Sequence, residues 1–331
     1  MRIFLTGGTG YLGSALLDGL LAAGHEVSAL TRRPRPEDER PGLRWVLGDL
    51  AQGPPEVAEL NRHSVVVHSA ALVKTWTPDR REFDRVNVDA YEGLLERCAV
   101  AGVTKIVHTS SFLSLGPSPT ATPIDESHRS ERNRFYTDYE RTKYAADRIT
   151  DVWVEKGLPI VTVYPAVLFG PGACTDGNLL GKLVYWVREG TFPGRIGSGK
   201  QVWSYAYLPD VVEGHISAIE RGMGGHRYIL GGENLALDDV LRNIFDKLDK
   251  PFRMRKIPIG MAEGLGRLME WGARWKRKAP ELTRGVAGVY REHWAYSSKR
   301  AERALGYSIT PFDTALDQTV EWVRTLDRWG D

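Results

Sequence analysis

The stretch TGGTGYLG, residues 6–13, stands between a short apolar run and a helical pattern. Its glycines Gly7, Gly10 and Gly13 are three residues apart. Glycines in such a loop permit a tight turn and let the backbone approach a pyrophosphate, which meets free N–H groups at the helix N-terminus. Because the loop has the strand–loop–helix setting that the motif requires, the sequence predicts dinucleotide binding.

The first half of the chain alternates short β-branched runs with helical patterns, which predicts a Rossmann-type doubly wound parallel sheet. Runs such as VVVH and IVTV are almost wholly apolar, as strands buried on both faces should be. Later the pattern loosens and becomes mainly helical. We expect an NAD(P)-binding Rossmann domain and a smaller substrate-binding part. Their predicted bounds are 1–170 with about 200–222 returning to it, and 171–199 with 223–331.

The composition narrows the class of partner. A net charge of +2 over 331 residues gives no strong field for nucleic acid. No apolar window reaches the ~20 residues that a membrane span needs. The two cysteines, Cys98 and Cys174, belong to no metal-ligand pattern, so we expect no metal. We expect a cytoplasmic protein that acts on a small molecule.

The second predicted strand ends in Thr31, Arg32 and Arg33, with no acidic residue. A carboxylate there would hold the ribose 2′-hydroxyl of NAD and repel a phosphate. Two arginines and a hydroxyl suit a 2′-phosphate instead. NADP(H) is therefore the favoured cofactor. NAD(H) stays open, because the same residues also fit a solvated basic turn.

The stretch RFYTDYERTKYAADR, residues 134–148, contains three tyrosines. Only Tyr139 has a lysine, Lys143, one helical turn further on, where a cation favours the phenolate. Tyr136 has a glutamate at that spacing, and Tyr144 points about 140° away from Tyr139. The helical pattern therefore selects Tyr139 for acid–base chemistry.

A hydroxyl donor for the substrate oxygen is expected at the end of the fifth strand. Ser110 and Ser111 lie at its carboxyl end, where open α/β sheets bind their ligands. Strand alternation allows only one of the two to face the site.

These motifs, in this order, resemble the extended short-chain dehydrogenase/reductase family. The resemblance covers about residues 1–235 and rests on TGGTGYLG (6–13), GDL (48–50), HSAA (68–71), VNV (86–88), TSSFLSLG (109–116), YERTK (139–143), YPAVLFGPG (164–172) and YLPDVVEGH (207–215). It implies an NAD(P)-dependent alcohol dehydrogenase or carbonyl reductase.

The resemblance also implies roles for single residues. Tyr139 is the general acid/base, Lys143 lowers its pKa and binds the nicotinamide ribose, Ser111 polarises the substrate oxygen, and Asn87 is the family's asparagine. With the basic turn included, the cofactor residues are Thr6, Gly7, Gly10, Tyr11, Leu12, Gly13, Thr31, Arg32, Arg33, Asp49, Leu50, Ser69, Ala70, Ala71, Lys143, Tyr164, Pro165 and Val167.

The segment GSGKQVWSYAY, residues 197–207, resembles a family segment in which an arginine grips a nucleotide diphosphate. Trp203 stands at the position of that arginine, which argues against a nucleotide-diphosphate substrate. Apolar side chains at predicted pocket positions favour an apolar substrate. Each of them taken alone also fits core packing. They are Trp76, Phe112, Tyr136, Phe169, Trp203 and Tyr205.

Stretches such as AALVKTW, TSSFLSLG and RYILGGEN resemble the dihydroflavonol-reductase-like branch and look closest to plant farnesol dehydrogenase. The resemblance implies an isoprenoid, flavonoid-like or steroid-like alcohol or ketone as substrate. Two alternatives stay open, a nucleotide-sugar epimerase or dehydratase with retained cofactor and a non-catalytic dinucleotide-binding protein. A homodimer rests on fold-level analogy alone.

The stretch GMAEGLGRLMEWGARWKRK, residues 260–278, combines apolar residues at helical spacing with a basic end, which includes Arg274, Lys276, Arg277 and Lys278. We expect a lid or packing helix here. The open alternative is a helix that lies on a membrane surface.

Overall fold

The fold is taken from a computed structural model that describes residues 1–35, 37–128, 132–276 and 278–330. Its strands are, in chain order, β1 (Arg2–Thr6), β2 (Glu26–Thr31), β3 (Leu43–Leu47), β4 (Val65–His68), β5 (Lys105–Thr109), β6 (Ile160–Pro165), β7 (Val167–Phe169), β8 (Arg195–Ile196), β9 (Val202–Tyr207), β10 (Arg227–Leu230), β11 (Glu233–Ala236) and β12 (Lys256–Ile257).

Seven of these strands form one parallel sheet in the order β3-β2-β1-β4-β5-β6-β10. The strand order reverses between β1 and β4, and open α/β sheets bind ligands at the carboxyl ends of the strands beside such a switch point. The sheet confirms the predicted Rossmann-type fold.

Helices cover the sheet and build the layers beyond it. They are α1 (Tyr11–Ala22), α2 (Val57–Leu60), α3 (Arg81–Asp84), α4 (Ala90–Ala101), α5 (Phe112–Leu115), α6 (Asp138–Glu155), α7 (Leu179–Arg188), α8 (Leu208–Arg221), α9 (Leu237–Lys247), α10 (Ile259–Lys276), α11 (Arg284–Val289), α12 (Lys299–Leu305) and α13 (Phe312–Arg324). A π-helical turn, Arg85–Asp89, joins α3 to α4. Within the described ranges, no helix has both the length and the apolar character to cross a bilayer.

Apolar side chains on the two faces of the sheet belong to two separate cores. On β1, Ile3 and Leu5 join α1 and α8 in one core, whereas Phe4 joins α4 in the other. This division follows from strand geometry, since successive side chains point to opposite faces. Burial on both sides fixes the sheet, and with it the loops at its carboxyl edge.

The second half of the chain adds two small sheets, β11-β9-β7 and β12-β8. The region 171–199, which the predicted boundaries assign to the substrate-binding part, contains α7. Strand β10, which the predicted boundaries assign to the substrate-binding part, pairs with β6 at the edge of the main sheet.

Candidate active site

The glycine loop after β1 forms a narrow cradle. Gly7 has φ +81°, and a Cβ there would lie 2.6 Å from the backbone nitrogen of Ala70. A Cβ on Gly13 would lie 1.9 Å from the Gly7 oxygen, whereas one on Gly10 would meet its nearest neighbour only at 3.4 Å. Among the described residues, no side chain caps the first turn of α1. The open N-terminus and close-packed glycines therefore fit a dinucleotide pyrophosphate.

Other predicted cofactor residues stabilise this loop through hydrogen bonds between the ends of β1 and β4. The Thr6 hydroxyl is fully buried, hydrogen-bonds the His68 ring over 2.9 Å and accepts from the backbone N–H of Ala70 over 3.3 Å. These bonds tie the end of β1 to the end of β4. Ser69, Ala70 and Ala71 are half-buried at that end. Thr6 therefore shapes the turn through its side chain.

Tyr11 and Leu12 open α1 with side chains that point into the protein. The Tyr11 hydroxyl donates to the carbonyl of Gly170 over 2.9 Å, and Leu12 packs on the core. Only their backbone groups remain to meet a ligand at the helix N-terminus.

The basic turn after β2 is exposed. Thr31 is buried, and its hydroxyl donates to the Arg33 carbonyl over 2.8 Å. Arg32 and Arg33 are exposed and form no ion pair with any described residue. On the neighbouring strand end, Asp49 is half-buried and caps its own turn, while Leu50 is buried. The guanidinium groups of Arg32 and Arg33 are therefore accessible to an anionic ligand.

Helix α6 holds the catalytic candidates. It begins with a capping box in which the Thr137 hydroxyl accepts from the Glu140 N–H over 3.1 Å. This cap fixes the first turn, on which Tyr139 stands. Burial raises the pKa of Tyr139 to about 12, although hydrogen bonding by Ser111 lowers it. At neutral pH the phenol therefore carries its proton beside a second hydroxyl.

Lys143 lies one turn further along α6 and is buried. Its ammonium group donates to the carbonyl of Thr109 over 2.8 Å, so the end of β5 holds it. Burial lowers the pKa of Lys143 to about 8, while the charge of Asp147 raises it. The resemblance assigned the lowering of the Tyr139 pKa to Lys143. In this structure Ser111 is the group that lowers it.

The two serines after β5 separate, as strand alternation requires. Ser110 donates to one oxygen of Asp147 over 2.7 Å, and Ser114 donates to the other over 2.7 Å. Ser111 faces Tyr139 instead. Burial raises the pKa of Asp147, although both serines stabilise its charged form. Sequence reasoning missed Asp147; the signal was its spacing of four residues from Lys143.

Asn87 lies in the π-helical turn and is buried. Its amide oxygen accepts from the backbone N–H of Leu72 over 2.7 Å, and its amide nitrogen donates to the Thr142 hydroxyl over 3.0 Å. Thr142 precedes Lys143. The structure thus places Asn87 as a brace between α6 and the chain after β4.

The other two tyrosines of α6 and its entrance have different surroundings. Tyr136 donates to the carboxylate of Glu292, and burial together with that carboxylate raises the pKa of Tyr136. The ring of Tyr144 lies 5.3 Å from the guanidinium of Arg148 and 5.2 Å from the ring of Phe135. Among the described contacts, Tyr139 differs from these two phenols in having Ser111 as a hydrogen-bond partner.

A group of aromatic side chains near Tyr136 is called the aromatic wall below, and the chain at 290–296 contributes several of them. Its members are Phe112, Tyr136, Trp203, Tyr290 and Trp294. Trp203 is 4% exposed and packs on Tyr290 with 4.9 Å between ring centroids and the ring planes tilted by 32°. Its indole N–H donates to the carbonyl of Glu292 over 3.1 Å. Phe112 meets Trp294 edge-on at 5.7 Å. The sequence analysis did not assign 290–296 to the site, because the stretch has no motif.

The remaining predicted pocket and cofactor residues lie elsewhere. Phe169 is 1% exposed and packs with Tyr205 against Phe312, which places both in the core. The buried Tyr164 hydroxyl accepts from Arg227 over 2.9 Å, so the Tyr164 side chain contacts the neighbouring strand β10. Pro165 and Val167 are buried, and Trp76 is half-buried.

Comparison with known proteins finds a matching family and several similar proteins. The model of the NAD dependent epimerase/dehydratase family matches residues 3–231. A putative dihydroflavonol 4-reductase of Synechocystis is 27% identical, over 96% of this chain and 93% of the relative. A 4-hydroxy-2-methyl-3-oxo-4-farnesyl-3,4-dihydroquinoline-1-oxide ketoreductase of Stigmatella aurantiaca is 30% identical, over 93% and 92%.

Among solved structures, the UDP-glucuronic acid 4-epimerase of Bacillus cereus, in complex with UDP-glucuronic acid and NAD, has a TM-score of 0.78 at 19% identity. The match covers 98% of this chain and 99% of the epimerase. At this identity, the likeness shows a shared fold.

Proposed function

This chain belongs to the NAD dependent epimerase/dehydratase family, and we propose that it transfers a hydride between a nicotinamide dinucleotide and an apolar alcohol or ketone. It is an extended short-chain oxidoreductase, with reductases among its relatives. The observation that carries the proposal is the hydrogen bond between the Tyr139 phenol and the Ser111 hydroxyl, with the buried Lys143 one helical turn further along α6.

In the proposed reduction, the bound nicotinamide supplies the hydride. Tyr139 is protonated at neutral pH, because its pKa is about 12, and it gives its proton to the substrate oxygen. Ser111 donates a hydrogen bond to that oxygen while negative charge develops on it. Lys143, held by the Thr109 carbonyl, would stabilise the resulting Tyr139 phenolate through its positive charge, and a proton from water would then restore the phenol.

The aromatic wall supports an apolar substrate. Trp203, Phe112 and Tyr136 belong to one apolar cluster, in which Trp203 is buried and the other two are partly buried. Arg291, which lies between Tyr290 and Glu292 in the chain, is already in an ion pair with Glu263. A diphosphate substrate would need such a group free. Isoprenoid, flavonoid-like or steroid-like compounds fit this chemistry, and the names of the two relatives specify a flavonoid and a farnesyl-bearing ketone.

NADP(H) is the proposed cofactor. Arg32 and Arg33 stand exposed at the end of β2 without an acidic partner, which suits a 2′-phosphate. The family resemblance gives the half-buried Asp49 the role of binding the adenine.

The test is a panel of apolar alcohols and ketones with NAD(H) and NADP(H), followed at 340 nm. Tyr139→Phe should lower kcat by roughly 100-fold or more, since positioned proton transfer contributes 10²–10⁴. Tyr144→Phe on the same helix is the matched control and should behave as wild type.

Two results would contradict the proposal. One is a Tyr139→Phe enzyme with full turnover. The other is conversion of a nucleotide sugar with no net absorbance change at 340 nm, which would identify an epimerase or dehydratase that retains its cofactor. Inertness of the wild type toward both substrate classes would favour the non-catalytic alternative.

A further inference from the structure

Helix α10 exposes a continuous apolar stripe. Its side chains recur at spacings of three or four residues and so share one side of the helix. They are Met261, Leu265, Leu268, Trp271 and Trp275, and they are 65%, 49%, 69%, 65% and 79% exposed. Single exposed apolar residues are ordinary, but a contiguous row with two indoles marks an interaction surface.

The other side of α10 already has its packing partner. Ala262 and Ala273 are buried, and a Cβ on Gly266 would lie 2.5 Å from the Arg284 nitrogen of α11. The expectation of a packing helix therefore describes this inner side only. The stripe points away from that side, and no described part of the chain covers it.

The charges beside the stripe indicate what that partner is. Arg267 and Arg274 are exposed on its flank, and Lys278 is exposed just after the helix ends. Of the two acids of α10, Glu263 is paired with Arg291, and Glu270 accepts from the Arg284 N–H on the packed side. Arg277 and the side chain of Lys276, which completed the predicted basic end, lie outside what the structure describes.

The sequence around α10 concentrates positive charge. Residues 253–278 contain eight basic and two acidic residues, a net of +6, although the whole chain carries only +2. Two copies of this surface would bring like charges together. An anionic lipid surface would neutralise them, because clustered Lys and Arg are drawn to its negative potential.

We propose that the α10 stripe docks on an anionic lipid bilayer, with the helix lying in the plane of the interface. From Met261 to Trp275 the stripe is about 21 Å long at 1.5 Å per residue. Indoles prefer the boundary between acyl chains and headgroups, and flanking arginines extend to the phosphates. This arrangement is the one expected of an interfacial helix.

The packed side of α10, opposite the stripe, connects to the candidate site through α11. Helix α11, on which α10 packs, approaches Tyr136: a Cβ on Gly288 would lie 2.4 Å from the Tyr136 ring. Tyr136 stands in the aromatic wall. If the proposed function holds, docking keeps the candidate site near a bilayer that dissolves its substrate, with α10 and α11 between the two. Docking itself does not depend on that function.

The experiment is co-sedimentation of the full chain with vesicles of phosphatidylcholine alone or mixed with phosphatidylglycerol. We expect binding to the mixed vesicles, and at least about tenfold weaker binding after Trp271→Ser/Trp275→Ser. Arg267→Glu/Arg274→Glu should weaken binding to the mixed vesicles and leave the response to phosphatidylcholine unchanged. The matched control is Val100→Ser/Met223→Ser, at positions that are 74% and 61% exposed elsewhere.

The control should bind as wild type does, and thermal melts check that all variants are folded. Equal vesicle binding by wild type and the tryptophan variant would overturn the proposal. So would a wild type that ignores anionic vesicles but sediments as a dimer which the tryptophan variant dissociates. Since no substrate is used, these results stand whatever the chemistry of the site proves to be.

Discussion

Replacing Asp147 with asparagine should move the pH range in which the enzyme works. The Asp147 carboxylate raises the pKa of Lys143 against the lowering by burial, with a net value of about 8. Asparagine keeps two polar atoms for Ser110 and Ser114, whose hydroxyls now donate to the carboxylate. The change thus removes a charge and preserves the shape.

The size of the shift follows from the helix. Side chains one turn apart are about 6 Å apart. Two unit charges at that distance interact by about 3 kcal/mol at an effective dielectric constant of about 20, which equals about two pH units. Without Asp147 the pKa of Lys143 should fall to about 6. At pH 7.5 the charged fraction would then drop from roughly three quarters to roughly one in thirty.

The assay is kcat/KM for the carbonyl substrate across the pH range, because this quantity reports groups of the free enzyme. If charged Lys143 is required, the activity of wild type should fall as pH rises through about 8. Asp147→Asn should lose activity about two pH units earlier, with roughly a twentyfold deficit at pH 7.5 and less than a twofold deficit at pH 5.5.

Asp151→Asn is the matched control, since Asp151 lies one turn further along α6 and pairs with Arg227 and Arg148. Its alkaline limb should coincide with that of wild type. The reasoning fails if Asp147→Asn has the same alkaline limb as wild type, or if Asp151→Asn shifts it equally.

Three further outcomes are expected. Ser111→Ala should lower kcat roughly 100-fold, because it removes the donor to the substrate oxygen; unchanged kcat in steady-state assays would exclude that role. Arg32→Glu/Arg33→Glu should raise KM for NADPH at least about tenfold and leave KM for NADH within about twofold, and equal effects on both would argue against a 2′-phosphate site. Gly13→Ala should weaken cofactor binding and lower Tm, since its Cβ would lie 1.9 Å from the Gly7 oxygen; calorimetry showing neither change would refute the close packing.

The sequence determined the sheet and the glycine cradle because both are local patterns. Apolar runs mark strands buried on two faces, and Gly7 to Gly13 stand at one strand–helix junction. The Tyr139–Lys143 pairing was predictable for the same reason, as a spacing of four residues defines a helix face. Local spacing could also have pointed to Asp147, one turn beyond Lys143.

Contacts between segments that are far apart in the chain were decided by the tertiary structure. The wall at 290–296 has no motif, and only packing against β9 brings it to Trp203. Trp203 and Phe169 belong to the same buried cluster, and only the fold shows that Trp203 packs on Tyr290 whereas Phe169 packs on Phe312.

Helix α10 shows most clearly the difference between what the sequence determines and what the tertiary structure determines. Its periodicity predicted a helix with apolar residues, yet periodicity is the same whether a partner covers those residues or water does. The fold turned Ala262 and Ala273 inward and left Trp271 and Trp275 exposed. Sequence thus determined which residues share a face, and tertiary structure determined what each face meets, because burial depends on contacts between segments far apart in the chain.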